Sequence, residues 1–401
     1  MIRPIDRCRK IKKRRLKTSN IHQNDVVSSP ISNHLLVHAE IPEELIFSEI
    51  LTRLPVKTLI KFKLVSKTWN SLISTPLFIK SHLKQTISNP YVPYNCVFIR
   101  SPYYFYILNY GAYDRCPNDR SGEKGLIHVN NLNYYDNGVN TFLIGSCNGL
   151  VCFGRGGAIT GYDYCFYVYN PVMDLIFDVL DPLGNFQWML MCGFGYVSCK
   201  DDYLLLVGGL QKRSSKTFVY DFSLKSKTWR KIRVFDEGEL SIFSGGKGVL
   251  VNETLHWDLT QVWTPGAKSV CGFDLVDETF KEVEIPLMLL DNRVNLGFKL
   301  CEINGCLGGW VVFADGVVEM WMLKQYGAWE SWMNLFKFDM LPGFRNFCGW
   351  TENGKVLLQT DDGSLLLADP KQNPTKYNSL VNYFGDIETV SFVQTAVSPF
   401  F

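Results

Sequence analysis

A chain of 401 residues is longer than one ordinary core can organise, and 46% hydrophobic with 20% charged residues is the make-up of a globular protein. No run of 18 or more apolar residues offers a membrane span, and the opening "MIRPIDRCRKIKKRRLK" lacks the apolar segment a secretory leader requires. The net charge of +2 conceals an asymmetry: residues 1–20 hold nine Lys or Arg against one Asp, so the remainder is mildly acidic.

Residues 1–38 join this basic block to a polar stretch without periodicity, which predicts a disordered arm. Eight basic side chains between Arg7 and Lys17 suit a nuclear-import signal, a nucleic-acid contact or a tail with no partner. From Ala39 the pattern turns helical. In "IPEELIFSEILTRL", Pro42 suits a first helical position and Glu43 and Glu44 complement the helix dipole. Leu45, Ile46, Ile50, Leu51 and Leu54 recur on one face until Pro55 stops the helix. "VKTLIKFK" turns Val56, Leu59, Ile60 and Phe62 inward. Ser66 caps a third helix carrying Trp69, Leu72 and Ile73, and Thr75-Pro76 starts a last one with Phe78 and Leu83. So few residues bury too little apolar surface to stand alone, so the module is expected to lean on a partner.

Beyond Asn89-Pro90 the apolar period drops to two, and turn residues arrive about every ten positions. A unit of apolar strand, Asn or Asp, turn and polar strand recurs. Matching Asn170, Asp221, Asp274, Met322 and Asp369 gives steps of 51, 53, 48 and 47. A period near 50 with several strands in each, 14% aromatics and 32 Gly predicts a mainly β architecture, a kelch-like β-propeller of six blades. An irregular β-sandwich is the alternative. The C-terminal "ETVSFVQTAVSPF" alternates with no unit left to join, so it is expected to return to the first blade, begun by "CVFIRSPYYFYILNY", and fasten the ring. Ligands of propellers meet loops at one end. Those near 111–125, 154–164, 181–190, 209–216, 260–269 and 340–347 are candidates, with Trp188, Trp263 and Phe344 as possible contacts.

No catalytic pattern survives. The glycine-rich "GRGGAITG" and "SGGKGVL" lack the following helix with Lys-Ser or Lys-Thr that a phosphate loop needs. His256 beside Trp257 reads as a histidine that packs and hydrogen-bonds inside a blade. Asp201-Asp202 and Asp361-Asp362 sit at turns, where aspartate belongs for backbone reasons. Cys147/Cys152 and Cys301/Cys306 are spaced by four residues with no histidine nearby, so they read as small buried hydrophobes and not as zinc ligands; no cofactor is called for.

The stretch "IPEELIFSEILTRLPVKTLIKFKLVSKTWNSLISTPLFIKSHL" resembles the F-box, with Ile41 where Leu is usual and Ser66 where Cys is common. Downstream, "GSCNGLVCF", "YNP", "CGFGYVSCKDDYLLLV" and "FVYDFSLKSKTWRKI" are similar to the F-box-associated region of plant F-box proteins, with Leu204 where members often carry a basic residue. Beside the arm read over 1–38 from composition, the resemblance, which covers residues 40 to about 400, implies an F-box over 39–84 and a propeller over 90–401. It also implies a non-catalytic substrate receptor of an SCF-type E3 ubiquitin ligase. The F-box would dock on a Skp-family adaptor, linked to a cullin and a RING protein, and the β domain would hold a protein substrate in the nucleus or cytoplasm. The residues expected at the adaptor are Ile41, Pro42, Leu45, Ile50, Leu54, Pro55, Leu59, Val65, Ser66, Trp69 and Leu72, with Trp69 and the Leu54-Pro55 corner as anchors. An adaptor-bound scaffold without degradation is a second reading. A nucleic-acid contact through the arm is a third.

Overall fold

The computed structural model describes residues 45–88, 96–115, 125–132, 141–157, 162–179, 186–211, 214–236, 246–260, 268–284, 295–372, 375–382 and 384–400. The basic arm, Ile41, Pro42 and Trp263 lie outside the described residues.

Period-two alternation produces six antiparallel sheets among the described residues. They are blades I to VI in chain order, and the innermost strand of each lines one central cavity. Blade II runs outward through Thr141–Cys147, Leu150–Gly157, Tyr162–Asn170 and Leu175–Val179. Blade III comprises Phe186–Val197, Asp202–Gln211, Thr217–Ser223 and Thr228–Phe235, with Gly246–Lys247 added in parallel to its inner strand. Blade IV is Val249–Val251, Thr254–Thr260, Lys268–Asp274 and Thr279–Glu284. Blade V is Asn295–Ile303, Cys306–Phe313, Val317–Leu323 and Trp332–Asp339. Blade VI is Phe344–Trp350, Val356–Thr360, Leu365–Asp369 and Lys376–Val381. Blade I is composite. Its inner strand, Glu388–Phe392, comes from the C-terminus and pairs with Cys96–Arg100, ahead of Phe105–Asn109 and Leu126–His128. The chain is therefore a six-bladed propeller closed by its C-terminal segment, as the sequence predicts, and the sandwich alternative falls.

Both faces of each blade are apolar because each meets a neighbour. Trp310 and Val311 are adjacent in one strand, yet Trp310 packs toward blade VI with Phe347 and Leu358, and Val311 packs toward blade IV with Val251 and Val270. Leu204 lies in the equivalent seam between blades III and IV. Turns behave as their residues dictate. Asn148-Gly149 and Asn304-Gly305 have positive φ at both positions, the backbone that joins two strands by two residues. A Cβ on Gly149 would collide with Thr395 of the returning segment.

One part of the repeat register is corrected. Asn170, Asp274 and Asp369 do share a role: each Oδ1 accepts from the backbone N–H two residues on, at 2.8 Å from Val172, 2.9 Å from Val276 and 3.1 Å from Lys371. In blade III that place belongs to Ser223, whose Oγ accepts from Ser226 N at 3.0 Å. Asp221, two residues earlier, instead pairs with Arg230 at 2.5 Å. Met322 is no turn residue; it packs in the seam between blades V and VI.

The helical module is wound less regularly than expected. Ile46–Ile50 forms a wide π turn and Leu51–Arg53 a 3-10 turn, before Leu54 turns extended ahead of Pro55. Leu51 is buried by this winding and Ile50 is left 45% exposed. Three helices follow: α1 (Val56–Phe62), α2 (Lys67–Ile73) and α3 (Pro76–Ser88).

Asn170, with no exposed surface, ties the ring shut: its Nδ2 donates to Thr395 O at 3.1 Å and Val397 O at 2.6 Å. Asn170→Ala should cost roughly 3 kcal/mol by orphaning these buried carbonyls, read as a lower urea midpoint. An unchanged midpoint would show that the closing segment is held without it.

Candidate interaction surfaces

The expected adaptor residues divide into two sets. Leu59 has no exposed surface and packs with Leu51, Ile73 and Phe78, with Leu54, Phe62 and Trp69 around them. Trp69 stands between Phe47 and Phe62, with ring centroids at 6.2 and 5.4 Å. Leu59 is therefore a core residue and not a surface contact, and Leu54 and Trp69 are half-buried members of the same cluster. Leu72 is also half-buried. Ser66 caps α2 by accepting from Trp69 N at 3.1 Å. His82, buried on α3, holds the Leu54 carbonyl through Nε2 at 2.9 Å and so fixes the corner before Pro55. The second set is open: Leu45 is 50% and Val65 66% exposed, beside Ile50 and the exposed Pro55.

Leu64, 86% exposed, and Leu77 were not expected there. A signal for the first pair exists in the sequence. Val65 precedes the cap Ser66, where an apolar residue usually staples to the fourth helical position, but that position is the polar Asn70. Leu64-Val65 thus has no local partner.

Helix α3 fastens the module to the propeller. Ile79 and Leu83 pack into the seam of blades II and III, and Lys80 pairs at 2.5 Å with Asp201, which also accepts from Tyr196 Oη at 2.7 Å. Lys80 and Tyr196 together hold the Asp201 carboxyl below its usual range. Asp201 lies in the turn between the first two strands of blade III, and Ile87 reaches the lining of the central cavity, about 1220 Å³ in volume. The module thus covers the end of the ring that carries the first-to-second strand turns, such as Asn148-Gly149 and Asn304-Gly305.

The strands flanking 133–140, 180–185, 237–245, 261–267 and 285–294 all finish at the opposite end. The described strand ends that bound the candidate loops 154–164, 181–190, 209–216, 260–269 and 340–347 finish at that end too. The segment 111–125 does not. It joins the third and fourth strands of blade I, and Asp114 within it pairs at 2.7 Å with Lys355 beside a first-to-second strand turn of blade VI. Trp188 and Phe344 lie on inner strands and not in loops. Trp188 is 48% exposed, whereas Phe344 is half-buried against Trp310, ring centroids 5.0 Å apart.

Around the remote end, carboxylates are shared among cations. Glu388 of the closing strand accepts from Arg100 at 2.7 Å and from Leu143 N at 2.9 Å, and pairs with Lys247. Burial raises its carboxyl, but Lys247 and Arg100 outweigh that and hold it below the usual range. Asp386 meets Arg345 at 2.9 Å and Arg100 at 3.8 Å. Lys299 of blade V has its Nζ 5.5 Å from the Trp310 ring centroid.

The remaining chemistry-bearing residues are structural. Cys147 and Cys348 thiols are pushed up to about 12 by burial, and Cys152 rises for the same reason. Asp362 accepts from Ser364 N at 2.9 Å, and Asp202 from Lys225 N at 3.0 Å. No helix among the described residues is long and apolar enough to cross a membrane.

Residues 40–81 match the F-box domain, and residues 115–394 match the F-box associated beta propeller domain. An F-box/kelch-repeat protein of Arabidopsis thaliana is 28% identical over 367 residues, covering 88% of this chain and 94% of that protein. The F-box protein CPR1 of the same plant is 25% identical over 362 residues, covering 82% of each. The chain belongs to the plant F-box proteins that carry a C-terminal F-box associated β-propeller domain.

His256 behaves as its sequence context suggests, with its Nδ1 donating to Val249 O at 3.2 Å and its Nε2 accepting from Tyr326 Oη at 2.9 Å. Burial, opposed by backbone contacts to Val249 and Thr254, lowers its pKa to about 4. The unfolded chain takes this proton near pH 6.5. The resulting stability is complete above that pH and declines toward pH 4, by roughly 3 kcal/mol. His256→Gln should flatten that part of the pH dependence of the urea midpoint; an unaltered slope would assign it to other groups.

Proposed function

We propose that this chain is the substrate-recognition subunit of an SCF-type E3 ubiquitin ligase. The helical module binds a Skp-family adaptor, and through it a cullin and a RING protein, while the propeller holds the protein to be ubiquitinated. The observation that carries this reading is the opposition of two surfaces in one frame. Leu45, Ile50, Pro55, Leu64 and Val65 are uncovered on the helical module. The module is pinned by Ile79, Leu83 and the Lys80–Asp201 pair to one end of the ring, and the loop-bearing end faces away. Ile41 and Pro42 join the adaptor surface on their place in the F-box pattern. Leu54, Leu59, Ser66, Trp69 and Leu72 act by holding its shape. The chain itself performs no catalysis: holding a client beside the charged ubiquitin carrier raises the effective concentration of acceptor lysines.

Because Leu59 and Trp69 build the module, truncating them confounds unfolding with lost contact. The informative variant is Ile50→Glu/Val65→Glu, two exposed positions. It should weaken capture of a purified Skp-family adaptor on the order of 100-fold with an unchanged melting temperature, as removal of two apolar anchors predicts. Retained capture would place the adaptor elsewhere. Leu59→Ala should instead lose about 3 kcal/mol of stability through the cavity it leaves.

A further inference from the structure

We propose that the half of the central channel remote from the helical module receives an acidic segment of a protein chain. Lys299, which makes no ion pair among the described residues, is its first cation and Arg345 its second, with the half-buried Phe344 as the apolar surface beside them. This deepens the receptor reading and rests on it only for what the segment belongs to.

The lining carries its charges unevenly. Glu253 and Glu302 stand beside the turns nearest the helical module, where Ser198 N donates to Glu253 and Gly305 N to Glu302. Lys299 is midway along the inner strand of blade V, and Lys247 and Arg345 lie toward the far mouth. There Glu388 is divided between Arg100 and Lys247, and Asp386 between Arg100 and Arg345. Among the described residues Lys299 makes no ion pair, and its contact is the Trp310 ring opposite it in register. Burial, then the nearby Arg345 and Lys247, press its ammonium below the usual range, and Asp258 on the same lining opposes them only in part. A carboxylate arriving there relieves repulsion among three cations and finds in Lys299 a cation that makes no ion pair among the described residues.

The surface fits an extended chain with apolar side chains among its acids: the half-buried Phe344 meets the buried Trp310 edge to face, and Lys299 lies over the Trp310 ring. The carboxylates Glu388 and Asp386 interrupt the basic track that a polyphosphate backbone needs, whereas a peptide can space its carboxylates to meet Lys299 and Arg345 one at a time.

The probe is a fluorescein-labelled peptide of four Glu-Phe repeats, with a Lys-Phe peptide of equal length as its opposite, titrated into the full chain by anisotropy. The Glu-Phe peptide should bind and weaken as salt is raised, and the Lys-Phe peptide should not bind. Lys299→Glu should reduce the affinity at least tenfold, and Lys299→Met by less, with melting temperatures unchanged because Lys299 makes no ion pair among the described residues. Equal binding of the two peptides, or a Lys299→Glu chain that binds like wild type, overturns the assignment. Adaptor capture by the same preparations is read in parallel. Its loss in the wild type would defeat the receptor reading while leaving the peptide result to stand or fall alone.

Discussion

Everything in this molecule depends on one strand pairing. Glu388–Phe392 travels back from the C-terminus to lie against Cys96–Arg100, so a contact across almost 300 residues decides whether six sheets form a ring or an open row. The entropic cost of so long a closure rises only slowly with its length. It is offset by contacts that exist only when the ring is shut. Asn170 grips the Thr395 and Val397 carbonyls, Thr395 Oγ1 donates to Asn148 O at 2.7 Å, and Gln359 Nε2 donates to Ile387 O at 3.0 Å. Glu388 adds three further partners drawn from different parts of the ring. No blade keeps both its faces dry without two neighbours, so the seams share the stability and none is expendable.

A closed ring has two distinct ends: one carries the first-to-second and third-to-fourth strand connections of the blades, the other the second-to-third strand and blade-to-blade connections. The helical module settles on the first. Its last helix lends Ile79 and Leu83 to the seam of blades II and III, which makes the module part of the frame and not a loosely tethered appendage. On the proposed receptor reading, this rigid placement would hold a client at the far end at a fixed distance from whatever the module grips, so that proximity would substitute for chemistry.

Much of this was legible in the sequence, and the parts that were not share a cause. Local signals survived: the Ser66 cap, the turn role of Asn170, Asp274 and Asp369, and the orphan alternation of "ETVSFVQTAVSPF", expected to return to the first blade. Failures arose where one residue type serves two purposes. Asp221 looked like a turn residue because aspartate caps turns and also pairs with arginine across strands, so the repeat was misaligned by two positions in blade III. Leu59 looked like a contact because an apolar helical face has the same spacing whether it meets its own module or a partner. Segment 111–125 looked like its fellow loops because which end a loop occupies depends on strand parity within the blade, and blade I takes its inner strand from the far end of the chain. Lys299 and Arg345 gave no signal at all, since a cation alternating with apolar residues reads as an outer face until the ring turns that face inward.

The opposition of the two ends is tested most directly by lysine-directed cross-linking of the chain bound to a Skp-family adaptor. Adaptor cross-links should fall on Lys57, Lys61 and Lys67, exposed on the helical module, and should be absent from Lys247 and Lys299 in the remote half of the channel. Adaptor cross-links to Lys247 or Lys299 would contradict the arrangement, because one end of the ring would then have to serve both partners.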